Sequence, residues 1–490
     1  MRQTARPQQS PSERYKAALA AIEAGRHAEA RAALTQLGME RPRAPEIPYQ
    51  LSRIAGFAAD LPARLRQIDR ALALRPEDPA LIDAAIAAHD VAGDAEAALA
   101  LHDRRIAAAK NRLHAETAKA VYLQHVGRFD AAETLLRDLI ARHPREGVLY
   151  RTLFATLKIS PDEPLLPRLE TLLARRDMAD NSRADAHFAM AKAREDIGDT
   201  AAVFPHLDIA NRLQRAAAPY DPAAQAREHD GLFAAQKDAD LAPVPGSPAP
   251  RPVFVIGPPR AGTTLAERIL AGHAGVTAGG ELAHALRLVA SGFNRGGALA
   301  PLDGVTQGAL QALARRYLDQ VRFDTGAAGG VVTDKSIQSH LVLGYLARAL
   351  PEARFVSVRR DPRDTALSIY KTHFRTGTHR YSNALADIAL ALKTQRAIMA
   401  HWRDRLPDRV TEIAYEDLVS DPEPAARALA AAAGLDFAPE SLDTTRPGRV
   451  RTLSVAQARQ PIHAGRRAAW RAYETELQPF LDAWGDDPWD

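Results

Sequence analysis

Val253-Phe254-Val255-Ile256-Gly257-Pro258-Pro259-Arg260-Ala261-Gly262-Thr263-Thr264-Leu265 joins a short apolar run to a helical pattern, LAERILAGH. Strand, glycine loop and helix is the geometry in which backbone N–H groups and a helix N-terminus surround a phosphate. The spacing is that of a phosphate loop, G-x-x-x-x-G, but Thr263-Thr264 stands where a nucleoside triphosphatase has Lys-[Ser/Thr]. Without that lysine the loop has no cation to bridge two distal phosphates. Arg260 is the available one, and its forked donors suit a planar oxyanion. A ligand with one phosphate and one further anionic group fits better than a nucleoside triphosphate. A plain strand–turn–helix connection is the alternative.

Downstream, further β-branched runs alternate with helical stretches: VVTD (331–334), RFVSVRR (354–360) and RVTEIAY (409–415). Short apolar strands separated by helices predict a mostly parallel sheet with helices on both faces. Upstream, Leu241 to Pro252 reads LAPVPGSPAPRP, whose prolines cannot sustain a helix and predict an extended connector.

The chain before the connector is alanine-rich and periodic. Gly25, Gly93 and Gly127 each end one apolar helical segment and open another, 68 and 34 residues apart, with Ala59 in the skipped slot. Ala30, Ala98 and Ala132 keep the same step, as do Pro42, Pro76 and Pro144. A glycine permits the tight turn, a small alanine lets paired helices approach, and a proline ends the second helix. The 34-residue unit resembles the tetratricopeptide repeat; an irregular helical bundle is the alternative. Gly198 is off register, and the stretch with Pro161, Pro164 and Pro167 reads as a degenerate or longer pair. The expected organisation is a disordered start (1–12), a helical repeat domain (13–240), a linker (241–252) and an α/β domain (253–490).

Composition narrows the chemistry. The chain has 490 residues, 46% hydrophobic and 25% charged, as expected of a globular protein of several domains. No cysteine is present, which excludes disulfides, thiol catalysis and cysteine-held metals. The 16 histidines show no paired ligand spacing, and no metal is expected. A net charge of +4 gives no reason to expect a nucleic-acid partner. The absence of a signal sequence and of any long apolar run predicts a cytoplasmic protein without a membrane span.

A second candidate anion site follows RFVSVRR. Arg360, at the carboxyl end of a parallel strand, points to the crevice where such sheets bind ligands. Asp361 reads as a helix N-cap with Pro362 at the first helical position, and Ser368 lies two turns on. A strand-end salt bridge is the alternative for Arg360. Arg363 and Asp364 read as a solvated ion pair at the helix start. Glu281, after Gly279 and Gly280, falls 21 residues beyond Arg260 and near the end of a strand; it is a base or a helix cap. His284 is a rival base. Lys335 ends VVTD, and Tyr415 is a lone aromatic that could equally be core.

PPRAGTTL resembles the phosphosulfate loop of sulfotransferases that use 3′-phosphoadenosine 5′-phosphosulfate (PAPS). The chain is similar to bacterial sulfotransferases carrying N-terminal tetratricopeptide repeats, relatives of the tyrosylprotein sulfotransferases. The resemblance implies a helical repeat superhelix followed by a phosphate-loop-like α/β sulfotransferase domain. It implies that Arg260, Ala261, Gly262, Thr263 and Thr264 hold the 5′ end of PAPS and that Arg360 and Ser368 hold its 3′-phosphate. Glu281 would be the base, Lys335 the contact to the sulfuryl group and leaving oxygen, and Tyr415 the neighbour of the nucleotide. Arg451 and Arg459, in a segment resembling the loop that closes over PAPS, would contact phosphate. The acceptor would be a hydroxyl on a peptide, glycan or small molecule, with a protein or peptide partner on the repeat surface. Two departures stand out. Ala261 replaces the usual serine, and Ala283 replaces an arginine that tyrosylprotein enzymes use toward acidic peptides, which weakens the case for peptide tyrosine. A nucleotide-sensing scaffold and a nucleotide kinase are the rival functions.

Overall fold

The computed structural model describes residues 9–246, 249–444, 462 and 467–489. Its residues cluster into two compact units. One contains residues 1–119, 248–250 and 311–330; the other contains 120–247, 251–310 and 331–490.

The first unit is built from antiparallel helix pairs: Pro11–Glu23 with His27–Glu40, Glu46–Phe57 with Leu61–Leu74, and Pro79–Val91 with Ala95–Ala107. Gly25 and Gly93 turn between paired helices at φ +73° and +77°, a region that costs an L-residue strain and glycine none. Ala59, in the slot without glycine, adopts φ +55° all the same. Ala30 and Ala98 are fully buried where the helices meet. The first helix begins at Pro11, inside the stretch expected to be disordered, because Ser10 and Glu13 form a reciprocal capping box. The segment 311–330 adds Phe323, whose ring lies 5.2 Å from that of Phe57 and 4.1 Å below the guanidinium of Arg64.

The second unit holds a five-stranded sheet: β1 (Arg251–Ile256), β2 (Val276–Ala278), β5 (Val331–Asp334), β6 (Arg354–Arg359) and β7 (Val410–Ala414). Two two-residue strands, β3 (Asn294–Arg295) and β4 (Ala298–Leu299), form a separate hairpin. The order β2-β5-β1-β6-β7 is parallel at every pairing. Val253, Phe254, Val255 and Ile256 are all solvent-inaccessible, as a strand covered on both faces must be. From β1 the chain runs to the β2 edge and returns through β5, then continues on the opposite side with β6. The carboxyl end of β1 is therefore a topological switch point, where parallel sheets open a crevice for ligands.

The packing does not break near residue 250. Phe188, Phe204 and Leu207, from the helices Asp180–Asp196 and Val203–Ala217, share one apolar core with Leu367, Tyr370, Ile388 and Trp484. Asn211 donates to the carbonyl of Tyr370 at 3.0 Å, and the Tyr370 hydroxyl donates to Asp208 at 2.7 Å. Lys371–Glu195 and Arg215–Asp387 add ion pairs across the same seam. The expected linker is irregular over 241–246, while Arg251 and Pro252 already belong to β1.

Candidate functional site

The glycine loop leaves β1 at Gly257 and enters the helix Thr263–Ala271 through Gly262. Gly257 has no room for a side chain, since a Cβ there would lie 2.9 Å from the Val358 carbonyl. Gly262 has φ +98°, and a Cβ would lie 2.3 Å from the ring of Tyr415. Arg260 is a non-glycine residue at φ +71°, a costly conformation that persists only when its surroundings hold it. Two contacts do so. The Arg260 carbonyl accepts from Arg360 Nη1 at 3.0 Å, and Arg260 Nε donates to Ser368 Oγ at 3.0 Å. Ala261 is fully buried, its N–H donating to the Pro258 carbonyl at 3.2 Å.

Arg360 follows β6 and lies 4.7 Å from the Tyr415 ring centroid, in cation–π geometry. Tyr415 is buried, with the Gly262 backbone against one edge and Arg360 over its face. Asp361 caps the helix Pro362–Tyr370 as expected, accepting from Arg363 N at 2.8 Å. The expected Arg363–Asp364 pair does not form. Arg363 folds back onto the cap carboxylate at 2.7 Å, and its guanidinium lies 4.2 Å from the ring of Trp470. Asp364 faces inward, 3% exposed, and accepts the N–H groups of Ala468 at 2.8 Å and Trp470 at 3.0 Å. Arg360 Nη2 lies 3.9 Å from it.

Glu281 and Lys335 meet at the ends of neighbouring strands β2 and β5, with Lys335 Nζ donating to Glu281 Oε1 at 2.9 Å. The ammonium stem is 2% exposed while the carboxylate is 45% exposed, so the pair presents its acid to solvent and its cation to the interior. Lys335 is thus not an exposed strand-end lysine. Nor is Glu281 a helix cap: the helix His284–Phe293 has Ala283 at its N-cap, held at φ +55° with its N–H on Ser336 Oγ at 2.7 Å. His284 is buried, and its Nδ1 lies 2.9 Å from Arg287 Nη2.

Two residues with no motif in the sequence adjoin this pair. Glu267, in the helix Thr263–Ala271, is buried beneath the Gly279-Gly280 turn; its Oε1 accepts from Thr333 Oγ1 at 2.8 Å and Gly280 N at 2.9 Å. Burial pushes its carboxyl up, opposed by the Lys335 charge and by both hydrogen bonds. His379 lies between elements, its ring edge-on to Phe374 at 4.9 Å. Burial lowers its imidazole and the Glu281 carboxylate partly offsets that. Only the apolar side of Glu267's helix face could have hinted at its burial; nothing local marks His379.

Arg451 and Arg459 lie outside the described residues. Among the described residues no group of three or more His, Cys, Asp or Glu could hold a metal, and no helix is long and apolar enough to cross a membrane.

Residues 252–439 match the model of the sulfotransferase family. This stretch contains every described residue named above from Arg260 to Tyr415. An uncharacterized protein of Aquifex aeolicus (strain VF5) is 29% identical over 383 residues, covering 74% of this chain and 48% of that protein. The chain thus spans about half the length of the curated relative it matches. Among solved structures, the sulfotransferase domain of the Synechococcus PCC 7002 olefin synthase is 19% identical, covering 50% of this chain and 99% of its own, with a TM-score of 0.34. Sulfotransferase STF1 of Mycobacterium tuberculosis H37Rv is 15% identical, covering 67% and 99%, with a TM-score of 0.27. An O-GlcNAc transferase of Thermobaculum terrenum is 12% identical, covering 97% and 99%, at 0.24.

Proposed function

We propose that the protein is a sulfotransferase that moves a sulfuryl group from PAPS to an acceptor hydroxyl. The observation that carries the reading is the interlock of Arg260, Arg360 and Ser368. A loop without the triphosphatase lysine turns its arginine toward a hydroxyl on a second element, and the second arginine binds that loop's own carbonyl. Side chains from the loop after β1 and from the end of β6 thereby meet at one switch point, an arrangement that suits a ligand with 5′ and 3′ phosphates.

The residues present fit the donor. The Gly257–Thr264 backbone would hold its 5′ end, with Arg360 and Ser368 holding the 3′-phosphate and Tyr415 beside the base. PAPS, when bound, supplies the sulfuryl group from a mixed phosphoric–sulfuric anhydride: the acceptor oxygen gains the new S–O bond, the bridging S–O bond breaks, and 3′-phosphoadenosine 5′-phosphate leaves. In this reading Glu281, the more exposed member of its pair, takes the acceptor proton. Lys335, held beside it, and Arg260 oppose negative charge growing on the leaving phosphate. The repeats would bind the acceptor or a protein partner. Peptide tyrosine is one acceptor class; Ala283, small and left-handed, offers no cation toward an acidic peptide.

Calorimetry with 3′-phosphoadenosine 5′-phosphate and with ATP tests the donor assignment. The reading expects binding of the former, loss of that binding in Arg360→Ala, and much weaker binding of ATP. Equal affinity for the two nucleotides would refute it. In a transfer assay with labelled PAPS, Glu281→Gln is expected to lose turnover while still binding the nucleotide.

A further inference from the structure

Glu267 is a carboxylate placed where an apolar side chain would cost less. It sits in the second turn of the helix Thr263–Ala271, 6% exposed, and burying an ionisable group without purpose carries a penalty of several kcal/mol in proteins. The Lys335 charge favours its ionised form, yet Lys335 spends its ammonium on Glu281 instead.

What Glu267 does hold is the turn that carries Glu281. Gly280 is fixed from both sides: its N–H donates to Glu267 at 2.9 Å, and its carbonyl accepts from the Lys335 N–H at 2.8 Å. It sits at φ +68°. Gly279 donates to the Thr333 carbonyl at 3.1 Å, and a Cβ on it would approach that oxygen to 2.2 Å. Thr333 Oγ1 in turn donates to the same Glu267 oxygen. One carboxylate oxygen therefore ties the helix that begins at the phosphate loop to the Gly279-Gly280 turn and to β5, two residues before Lys335.

We infer that Glu267 is a positioning residue, which sets the Glu281–Lys335 pair against the phosphate loop by holding the Gly280 amide. The inference rests on the reading of Glu281 and Lys335 as base and cation. It requires an acceptor oxygen at this position, so glutamine serves and leucine does not.

Hydrogen exchange on the full chain tests the geometry without an acceptor substrate. In Glu267→Leu the Gly280 amide is expected to exchange at least about tenfold faster, while Glu267→Gln keeps its protection. Turnover with labelled PAPS should fall about 100-fold in the leucine variant, the scale of a misplacement near 1 Å, and stay within a few-fold in the glutamine variant. Affinity for 3′-phosphoadenosine 5′-phosphate should be nearly unchanged in both, separating positioning from loss of fold. Wild-type protection in Glu267→Leu would overturn the inference, as would equal turnover loss in both variants or a parallel loss of nucleotide binding. If the leucine variant does not fold, Thr333→Val replaces it. That change removes one donor to Glu267 and should speed Gly280 exchange with nucleotide binding intact; unchanged exchange would count against the inference. A wild-type chain that binds no 3′-phosphoadenosine 5′-phosphate would instead overturn the donor reading, leaving the exchange result to judge Glu267.

Discussion

Substituting alanine for Gly262 separates the two demands that the loop after β1 makes on that position. The backbone lies at φ +98°, where an L-residue carries roughly 1–2 kcal/mol of strain. The new Cβ would also lie 2.3 Å from Tyr415 Cδ2, 3.0 Å from Cε2 and 3.1 Å from Cγ. Because Cγ is the ring atom nearest the backbone, rotating the ring does not clear the overlap. Overpacking of that kind costs about 1–3 kcal/mol. Gly262→Ala should therefore destabilise the fold by about 2–5 kcal/mol, the sum of both terms. In a Tyr415→Ala background only the backbone strain, about 1–2 kcal/mol, should remain. Urea unfolding of the four proteins measures this as a double-mutant cycle. A Gly262→Ala cost that is the same with and without the Tyr415 ring would refute the steric reasoning. Displacing Tyr415 also moves the surface on which Arg360 rests, so affinity for 3′-phosphoadenosine 5′-phosphate should fall as well.

Lys335→Met keeps a chain of similar length without the charge; labelled-PAPS transfer should drop about 10²–10³-fold, the loss expected for one electrostatic contact to a transition state. Asp364→Ala leaves the part-buried Ala468 amide and the buried Trp470 amide without their acceptor, and denaturant titration should record a loss of about 2–6 kcal/mol, the range for two such groups. Acid should weaken the second unit. His187 and His373 are both held down to about 4 by burial. Their unfolded forms bind protons first, so stability is full above the ordinary histidine range and falls as pH drops from about 6.5 toward 4. Thermal unfolding midpoints at pH 7.5 and pH 5 should show that fall, and His373→Gln should reduce it.

Much of the architecture was legible in the residue order because it depends on short-range chemistry. Turns between paired helices favour glycine where φ is positive, and Gly25, Gly93, Gly127 and the off-register Gly198 take that conformation, though Ala59 adopts it too. Every expected strand run contains a strand, since a β-branched apolar run flanked by helical patterns has few other ways to bury itself. The spacing around Gly257 and Gly262 announced a glycine loop between strand and helix, and Asp361-Pro362 announced a helix start. In the sequence Asp364 looks like half of a surface pair, since a carboxylate follows an arginine; only the return of residues 468–470 to that helix reveals it as buried.

The sequence by itself determined the local elements and the identities of the chemical groups, because turn preference, periodicity and loop spacing act over a few residues. Tertiary structure alone decided which groups meet. Glu281 and Lys335 stand 54 residues apart and touch because β2 pairs with β5 rather than with β1. Glu267 reaches Gly280 because the helix after β1 packs under that same edge. The helices Asp180–Asp196 and Val203–Ala217 share a core with helices after residue 250 because apolar surface is buried by whatever face lies nearest in space, however far away in the chain.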